Sequence, residues 1–99
     1  EGKSAVKCIN CYMKAPGKDS VMAKEVSPDE NYREYKLAAG QYTPFYVQYP
    51  PDGFHKLMYT NDMAEYINRQ GEGEEKSALM YLYLNADNEV VYGYEEYTP

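Results

Sequence analysis

The run Ser27-Pro28-Asp29-Glu30-Asn31-Tyr32-Arg33-Glu34-Tyr35-Lys36-Leu37-Ala38-Ala39-Gly40 governs how everything around it is arranged. Ser27 is a helix-capping type, and Pro28 suits the first helical position because that position needs no N–H donor. Glu30 stands three residues after the serine, the spacing of a capping box. Gly40 ends the run with the residue type that most readily takes the left-handed conformation closing a helix. These signals predict a helix from Ser27 to about Ala39, with Tyr32, Tyr35, Lys36 and Ala39 on one face. Two phenol rings make up most of that stripe, which is a thin anchor.

Upstream, residues 4–14 and 20–26 are rich in β-branched and aromatic types and read as strands. Ala15-Pro16-Gly17-Lys18 supplies the turn between them, with Val21 and Ala23 on one face and Met22 and Val26 on the other. Downstream, residues 41–49 and 54–60 read as a second hairpin across Pro50-Pro51-Asp52-Gly53. Pro44 lacks an amide donor, which predicts an edge position or a bulge for its strand. Asn61 or Asp62 can cap a second helix running to Gln70 and closed by Gly71, with Met63, Tyr66, Ile67 and Gln70 at helical spacing. Residues 77–84 are apolar on both faces, as a central strand would be. Asn85-Ala86-Asp87-Asn88 then turns the chain into a last strand, Glu89 to Tyr97, with Val90, Tyr92 and Tyr94 on one face and Glu89, Val91 and Glu95 on the other. The order is ββαββαββ in one domain over 1–99. It predicts an α+β fold, an antiparallel sheet of about six strands with two short helices packed on one face and the other face partly open.

Composition narrows function by exclusion. The 99 residues carry a net charge of -6, with 43% hydrophobic and 26% charged residues, a globular balance. Residues 1–40 hold seven Lys/Arg against six Asp/Glu, while 41–99 hold three against ten, with a local peak at Glu72, Glu74 and Glu75. No apolar run approaches the ~18 residues of a membrane span, and the clustered cations that grip phosphates are missing, so direct nucleic-acid binding is not expected. Glu1 in place of Met is read as the start of a processed or a trimmed chain, and export, to an extracytoplasmic or secreted setting, is the expected address.

Cys8-Ile9-Asn10-Cys11 is the one motif with thiol chemistry. A structural zinc site needs a second ligand pair, and His55 is the sole histidine, read as a surface residue beside a turn. If residues 4–14 form a straight strand, Cys8 and Cys11 point to opposite faces ~10 Å apart, beyond the ~7 Å that a disulfide spans. The pair is then two free thiols, unless a bulge at Asn10 brings them together. Thr43-Pro44 followed by Phe45-Tyr46-Val47 and a Pro-Asp-Gly turn resembles the cis-proline strand of the thioredoxin family over about twenty residues. The resemblance implies thiol–disulfide redox activity for Cys8 and Cys11. The sequence departs from the family in having no helix after the C-x-x-C and an extra hairpin after the last helix. Asn85, Asp87 and Glu89 place oxygens at alternate positions, but a hairpin turn accounts for them better than a calcium loop does. No phosphate-binding glycine loop occurs, so no cofactor is expected.

Thirteen tyrosines against two phenylalanines and no tryptophan remain to be placed. A buried phenol needs a partner for its hydroxyl, so a core of this size cannot absorb them all. Some serve as boundary residues, ring inward and hydroxyl at water. On the last hairpin Tyr81 and Tyr83 share one face, as do Tyr92 and Tyr94, and opposed across the ladder they would form a four-ring patch. The expected function is therefore a non-catalytic binding domain whose partner is a protein or a glycan. The alternatives are the redox protein using Cys8 and Cys11, and an acidic inhibitor of a nucleic-acid-binding enzyme.

Overall fold

The structure, a computed structural model, describes residues 4–14, 17–27, 31–49, 54–68 and 76–96, with the side chains of Tyr49, Phe54 and His55 outside the description. In chain order the elements are β1 (Lys7–Met13), β2 (Ser20–Glu25), β3 (Arg33–Lys36), a 3-10 turn (Gly40–Tyr42), β4 (Phe45–Tyr49), β5 (Phe54–Met58), α1 (Thr60–Asn68), β6 (Ala78–Leu84) and β7 (Val90–Glu95). The strands form one seven-stranded sheet in the order β3-β2-β1-β6-β7-β4-β5. Every pair is antiparallel except β4 with β7, which run parallel through Phe45↔Gly93 and Tyr46↔Tyr94.

This corrects the expected architecture. Among the described residues the sheet is mixed rather than antiparallel and has seven strands rather than six, and one helix packs on it rather than two. The difference arises at the first predicted helix, where residues 33–36 form an edge strand on β2, with Val21 opposite Tyr35 and Met22 opposite Glu34. Ser20 Oγ donates to Glu34 Oε2 at 2.8 Å across the same pair. The reason lies in which periodicity buries more. Helical spacing leaves Leu37 off the tyrosine stripe, whereas a period of two turns Tyr35 and Leu37 the same way. Leu37 is in the core at 5% exposure and Tyr35 packs against that core. Pairing with β2 also satisfies an edge that a helix would leave bare, and tertiary pairing outweighs local propensity. The capping residues Pro28, Asp29 and Glu30 fall outside the described residues. Gly40 does adopt the positive φ expected of it, +55°, but it opens the 3-10 turn instead of ending a helix.

The residue after β3 shows that the sheet is curled. Leu37 forms a parallel bridge with Val90 of β7, and the Ala38 N–H donates to the Val90 carbonyl at 2.9 Å. The Leu37 N–H donates to the Asp19 carbonyl at 2.8 Å, ahead of β2. Yet β3 and β7 are separated in the sheet by β2, β1 and β6. Laid flat at ~4.8 Å per strand they would stand roughly 19 Å apart, so the five strands must roll towards closure at this end. The roll encloses Ile9, Cys11, Met13, Val21, Ala23 and Leu82, all buried.

At the other end α1 covers the same inner face. Besides Thr60 at its start, Met63, Tyr66 and Ile67 are its buried residues, as the i, i+3, i+4 spacing predicts, and these three share the core with Phe45, Val47 and Met58. Each fully buried Leu, Ile, Met or Phe contributes about 1.5–3 kcal/mol relative to exposure. A polar latch adds direction to this packing. Tyr66 OH donates to Glu95 Oε1 at 2.6 Å, and that oxygen also accepts the Gln48 N–H at 2.7 Å, tying α1 to β7 and β4. Pro44 precedes β4 rather than lying within it. Its strand therefore occupies an interior position, between β7 and β5, without the edge or bulge the proline suggests.

Gly93 has the least room for a side chain among the described glycines. A Cβ there would stand 2.6 Å from Phe45 Cδ1 and 3.1 Å from Leu82 Cδ2, whereas at Gly17 the nearest heavy atom would be 3.5 Å away. Gly93→Ala is expected to lower unfolding stability by about 1–3 kcal/mol through overpacking. Gly17→Ala should stay within about 0.5 kcal/mol, as surface substitutions usually do. Urea midpoints of the two variants beside the native chain check this, and equal midpoints would refute it.

Candidate functional site

The sheet's outer face is built by alternation. Along β1 the odd residues Ile9, Cys11 and Met13 are buried, and the even residues Cys8, Asn10 and Tyr12 face out. Along β6 the buried set is Ala78, Met80, Leu82 and Leu84, so Tyr81 and Tyr83 face out. Register then lines these side chains up across strands, with Cys8 opposite Tyr83 and Tyr83 opposite Tyr92, while Asn10 stands opposite Tyr81 and Tyr81 opposite Tyr94. The parallel pairing adds Tyr46 beside Tyr94.

The β6–β7 turn sets the phase of β7. Asn85 Oδ1 accepts the N–H groups of Asp87 and Glu89 at 2.9 and 3.0 Å, and Asn88 takes φ +64°. Leu84 then pairs with Val90 while Tyr83 pairs with Tyr92, so Val91 is an extra residue in a bulge. Val90, grouped with Tyr92 and Tyr94 by simple alternation, instead points into the core at 0% exposure, and the two tyrosines stay outside. Asn85 Oδ1 and Glu89 Oε1 are thus engaged in holding the hairpin. Glu89 Oε1 itself accepts from Asn85 Nδ2 at 3.0 Å.

All four tyrosines singled out by sequence share this face. Tyr83 and Tyr92 stack nearly parallel, with centroids 4.4 Å apart at 13°. Tyr46 stands across from Tyr92 at 6.1 Å and 81°, and from Tyr94 at 6.5 Å and 42°. With Pro44 these three rings line a hollow of about 380 Å³. The Glu96 carboxylate raises the Tyr81 phenol above its usual range, by its charge first and by a hydrogen bond second. Burial raises Tyr83, helped by its hydrogen bond to Cys8. Asn10 Oδ1 and Glu96 Oε1 are enclosed without a hydrogen-bond donor among the described residues, so the band between β1 and β7 is rich in lone pairs. Further along the face, Lys14 Nζ sits 4.3 Å from the Tyr32 centroid and Lys24 Nζ 5.2 Å from it. Lys24 also lies 6.0 Å from the Tyr12 ring.

Tyr46 and Pro44 escaped the sequence reading because no local signal announces a parallel pairing between strands more than forty residues apart. Tyr12 and Tyr32 escaped because each lies on a strand or connection whose neighbour was unknown. A 3.6-residue period hid Tyr35, which faces inward.

The thiols occupy opposite faces, as a straight strand requires: Cys8 is exposed, Cys11 is buried, and both are free. Burial, with Glu25 adding repulsion, pushes the Cys11 thiol up to about 12. The described peptide bonds are all trans, the Thr43–Pro44 bond included, so the feature central to the thioredoxin resemblance is not reproduced. Thr43 is buried, and its Oγ1 accepts the Ala39 N–H at 3.0 Å. The His55 side chain, Tyr97 and the acidic run at Glu72, Glu74 and Glu75 lie outside the described residues. Among the described residues no helix is long and apolar enough to cross a membrane.

No family model matches the chain, and no curated protein or solved structure is significantly similar to it.

The thiol geometry sets a clear expectation for reactivity. In the native protein one thiol, Cys8, reacts with a disulfide reagent at neutral pH, and the second appears only in denaturant. Because folding raises the Cys11 value from 9.0 to about 12, its contribution to stability is intact below pH 9 and falls away as the pH rises towards 12. Native-state labelling of both thiols at equal rates would refute the buried assignment.

Proposed function

We propose that this chain is a non-catalytic binding domain that contacts a protein or glycan ligand through the tyrosine-bearing outer face of its sheet, centred on Tyr81, Tyr83, Tyr92 and Tyr94. One observation carries the reading: the buried core takes Tyr66, while those four tyrosines and Tyr46 lie together on the opposite side. Tyr12 and Tyr94 are each 39% exposed there, and Val26 and Met22 are exposed on the β2 side of Tyr12. Tyrosine gives large contact area with two torsions to immobilise and a hydroxyl that stays satisfied in water or at an interface, which suits a surface that is alternately wet and covered. Packing alone would not need the rings on this side, since the inner face is already covered by α1 and by the roll of the sheet.

The redox alternative finds no help in the geometry. A C-x-x-C enzyme needs a thiol activated by a helix N-terminus or nearby cations, and needs both sulfurs within bonding range. Here the buried thiol is suppressed, and the two side chains diverge across a strand.

The test replaces Tyr81, Tyr83, Tyr92 and Tyr94 together by Thr, which keeps β-propensity while removing the rings. The native chain and the variant are applied side by side to a glycan array and to a peptide array. The expected result is a ligand class retained by the native chain and lost by the variant at unchanged far-ultraviolet dichroism. A variant that unfolds would show that the rings are structural, and one that retains every ligand would show that the face is idle; either overturns the proposal.

A further inference from the structure

We propose that the hollow between Pro44, Tyr46, Tyr92 and Tyr94 is an aromatic cage for a quaternary ammonium group, presented as a trimethylated lysine side chain of a protein partner. The inference rests on the binding-domain reading and names the chemistry of its ligand.

The arrangement of the rings carries the argument. Strand β7 lies between β6 and β4, so Tyr92 has Tyr83 on one flank and Tyr46 on the other. One face of Tyr92 is stacked on Tyr83 at 4.4 Å, which holds the ring in place beside the hollow that it lines. Tyr46 meets that side at 81°, and Tyr94 is tilted 42° from Tyr46. Rings at such angles form walls rather than a single flat platform. With centroids 6.1 and 6.5 Å from Tyr46, the three rings border one hollow in which a single cation can lie within the ~6 Å reach of more than one ring. A flat sugar ring is served by a broad exposed ring face, and the Tyr83–Tyr92 stack consumes one such face on each partner.

Charge selects the cation and then its carrier. The chain has a net charge of -6, and on this face the Glu96 carboxylate bonds Tyr81, which stands directly opposite Tyr94. A positive ligand is favoured by this field and an anion is opposed by it. An unmodified ammonium is strongly hydrated and would gain little from leaving water. Three methyl groups spread the charge and bring apolar contact with Pro44 and the rings. A phosphocholine headgroup carries the same cation but places a phosphate beside it, which the acidic surroundings disfavour. A lysine side chain brings no such anion.

The experiment uses the full chain and one short uncharged peptide in four forms, bearing trimethyllysine, lysine, its neutral tert-butyl isostere, or no side chain there. Phosphocholine is the fifth probe. The expected result is that trimethyllysine shifts the ring resonances of Tyr46, Tyr92 and Tyr94, and binds about tenfold more tightly than the tert-butyl isostere and than lysine. Tyr46→Leu should abolish the difference between trimethyllysine and its isostere while leaving Tyr83 and Tyr81 resonances in place. Equal binding of the isostere would overturn the cation assignment and leave the face as an apolar contact surface. Tighter binding of phosphocholine would overturn the choice of a protein side chain. Binding by none of the probes would remove the hollow as a site, while the wider reading of the face stands or falls on the four-tyrosine variant alone.

Discussion

The edge of β7 that faces away from β6 is shared by two pieces of chain, and the architecture depends on that division. Its first residue, Val90, is bridged by Leu37 and Ala38, and its later residues, Gly93 and Tyr94, are paired by Phe45 and Tyr46. The first contact rolls five strands towards closure, and the second extends the sheet by two more. The chain between the two contacts leaves the sheet through the 3-10 turn at Gly40–Tyr42, where Gly40 takes φ +55° and Thr43 Oγ1 holds the Ala39 amide. Gly93 makes the second contact workable, because Phe45 lies across the position where any other residue would put its Cβ. The parallel register then places Tyr46 beside Tyr94. One backbone constraint thus both seals the core and sets the third wall of the outer hollow.

The core and the tyrosine face follow from a common accounting of polar groups. The inner face is covered on one side by α1 and on the other by the rolled strands, and the residues of its core cluster are almost all without hydrogen-bonding side-chain atoms. Tyr66 is the informative exception: its hydroxyl reaches Glu95 Oε1 and the Gln48 carbonyl at 2.6 and 3.0 Å, so its burial leaves no phenol unpaired. Burial, then the bond to Glu95, raises its ionisation above the usual tyrosine range. A further tyrosine placed inside would need a second such acceptor. On the outer face the demand is met differently, Tyr81 by Glu96 and Tyr83 by Cys8, with water within reach of exposed rings such as Tyr94.

Much of this was legible from residue order alone, and the parts that were not share one cause. Six strands, both two-strand hairpins of the first half, the amphipathic helix with Met63, Tyr66 and Ile67, and the central position of residues 77–84 are local patterns. They appear in the structure at those places, with residues 4–14 shortened to Lys7–Met13 and residues 41–49 shortened to Phe45–Tyr49. The stretch around Tyr35 misled because a capping box and a terminal glycine are also local, and they favoured a helix whose buried face was poor. What decided it was the unpaired edge of β2, a non-local fact. The face of Val90 was misassigned for a related reason, since alternation counts residues and a bulge at Val91 inserts one. Tyr81, Tyr83, Tyr92 and Tyr94 were legible as a group because period-two alternation and a single hairpin turn fix them. Tyr46 and Pro44 were not, because their place depends on a parallel pairing that no adjacent turn specifies.

The divergence of Cys8 and Cys11 extends the same logic to reactivity. A strand that must present Ile9, Cys11 and Met13 to the core has no choice but to present Cys8 to the opposite side, three residues from its partner and on the other face. Bringing the sulfurs together would take a bulge in β1, but β1 pairs without interruption with β6 from Lys7↔Leu84 to Met13↔Ala78. Such a bulge would flip the residues on one side of it and expose part of the core that the roll encloses. The spacing of the pair is therefore a by-product of strand alternation. Cys11 behaves as a small apolar core residue, its thiol held protonated by burial. Cys8 is the residue that places a sulfur beside the Tyr83 hydroxyl, at the margin of the aromatic face.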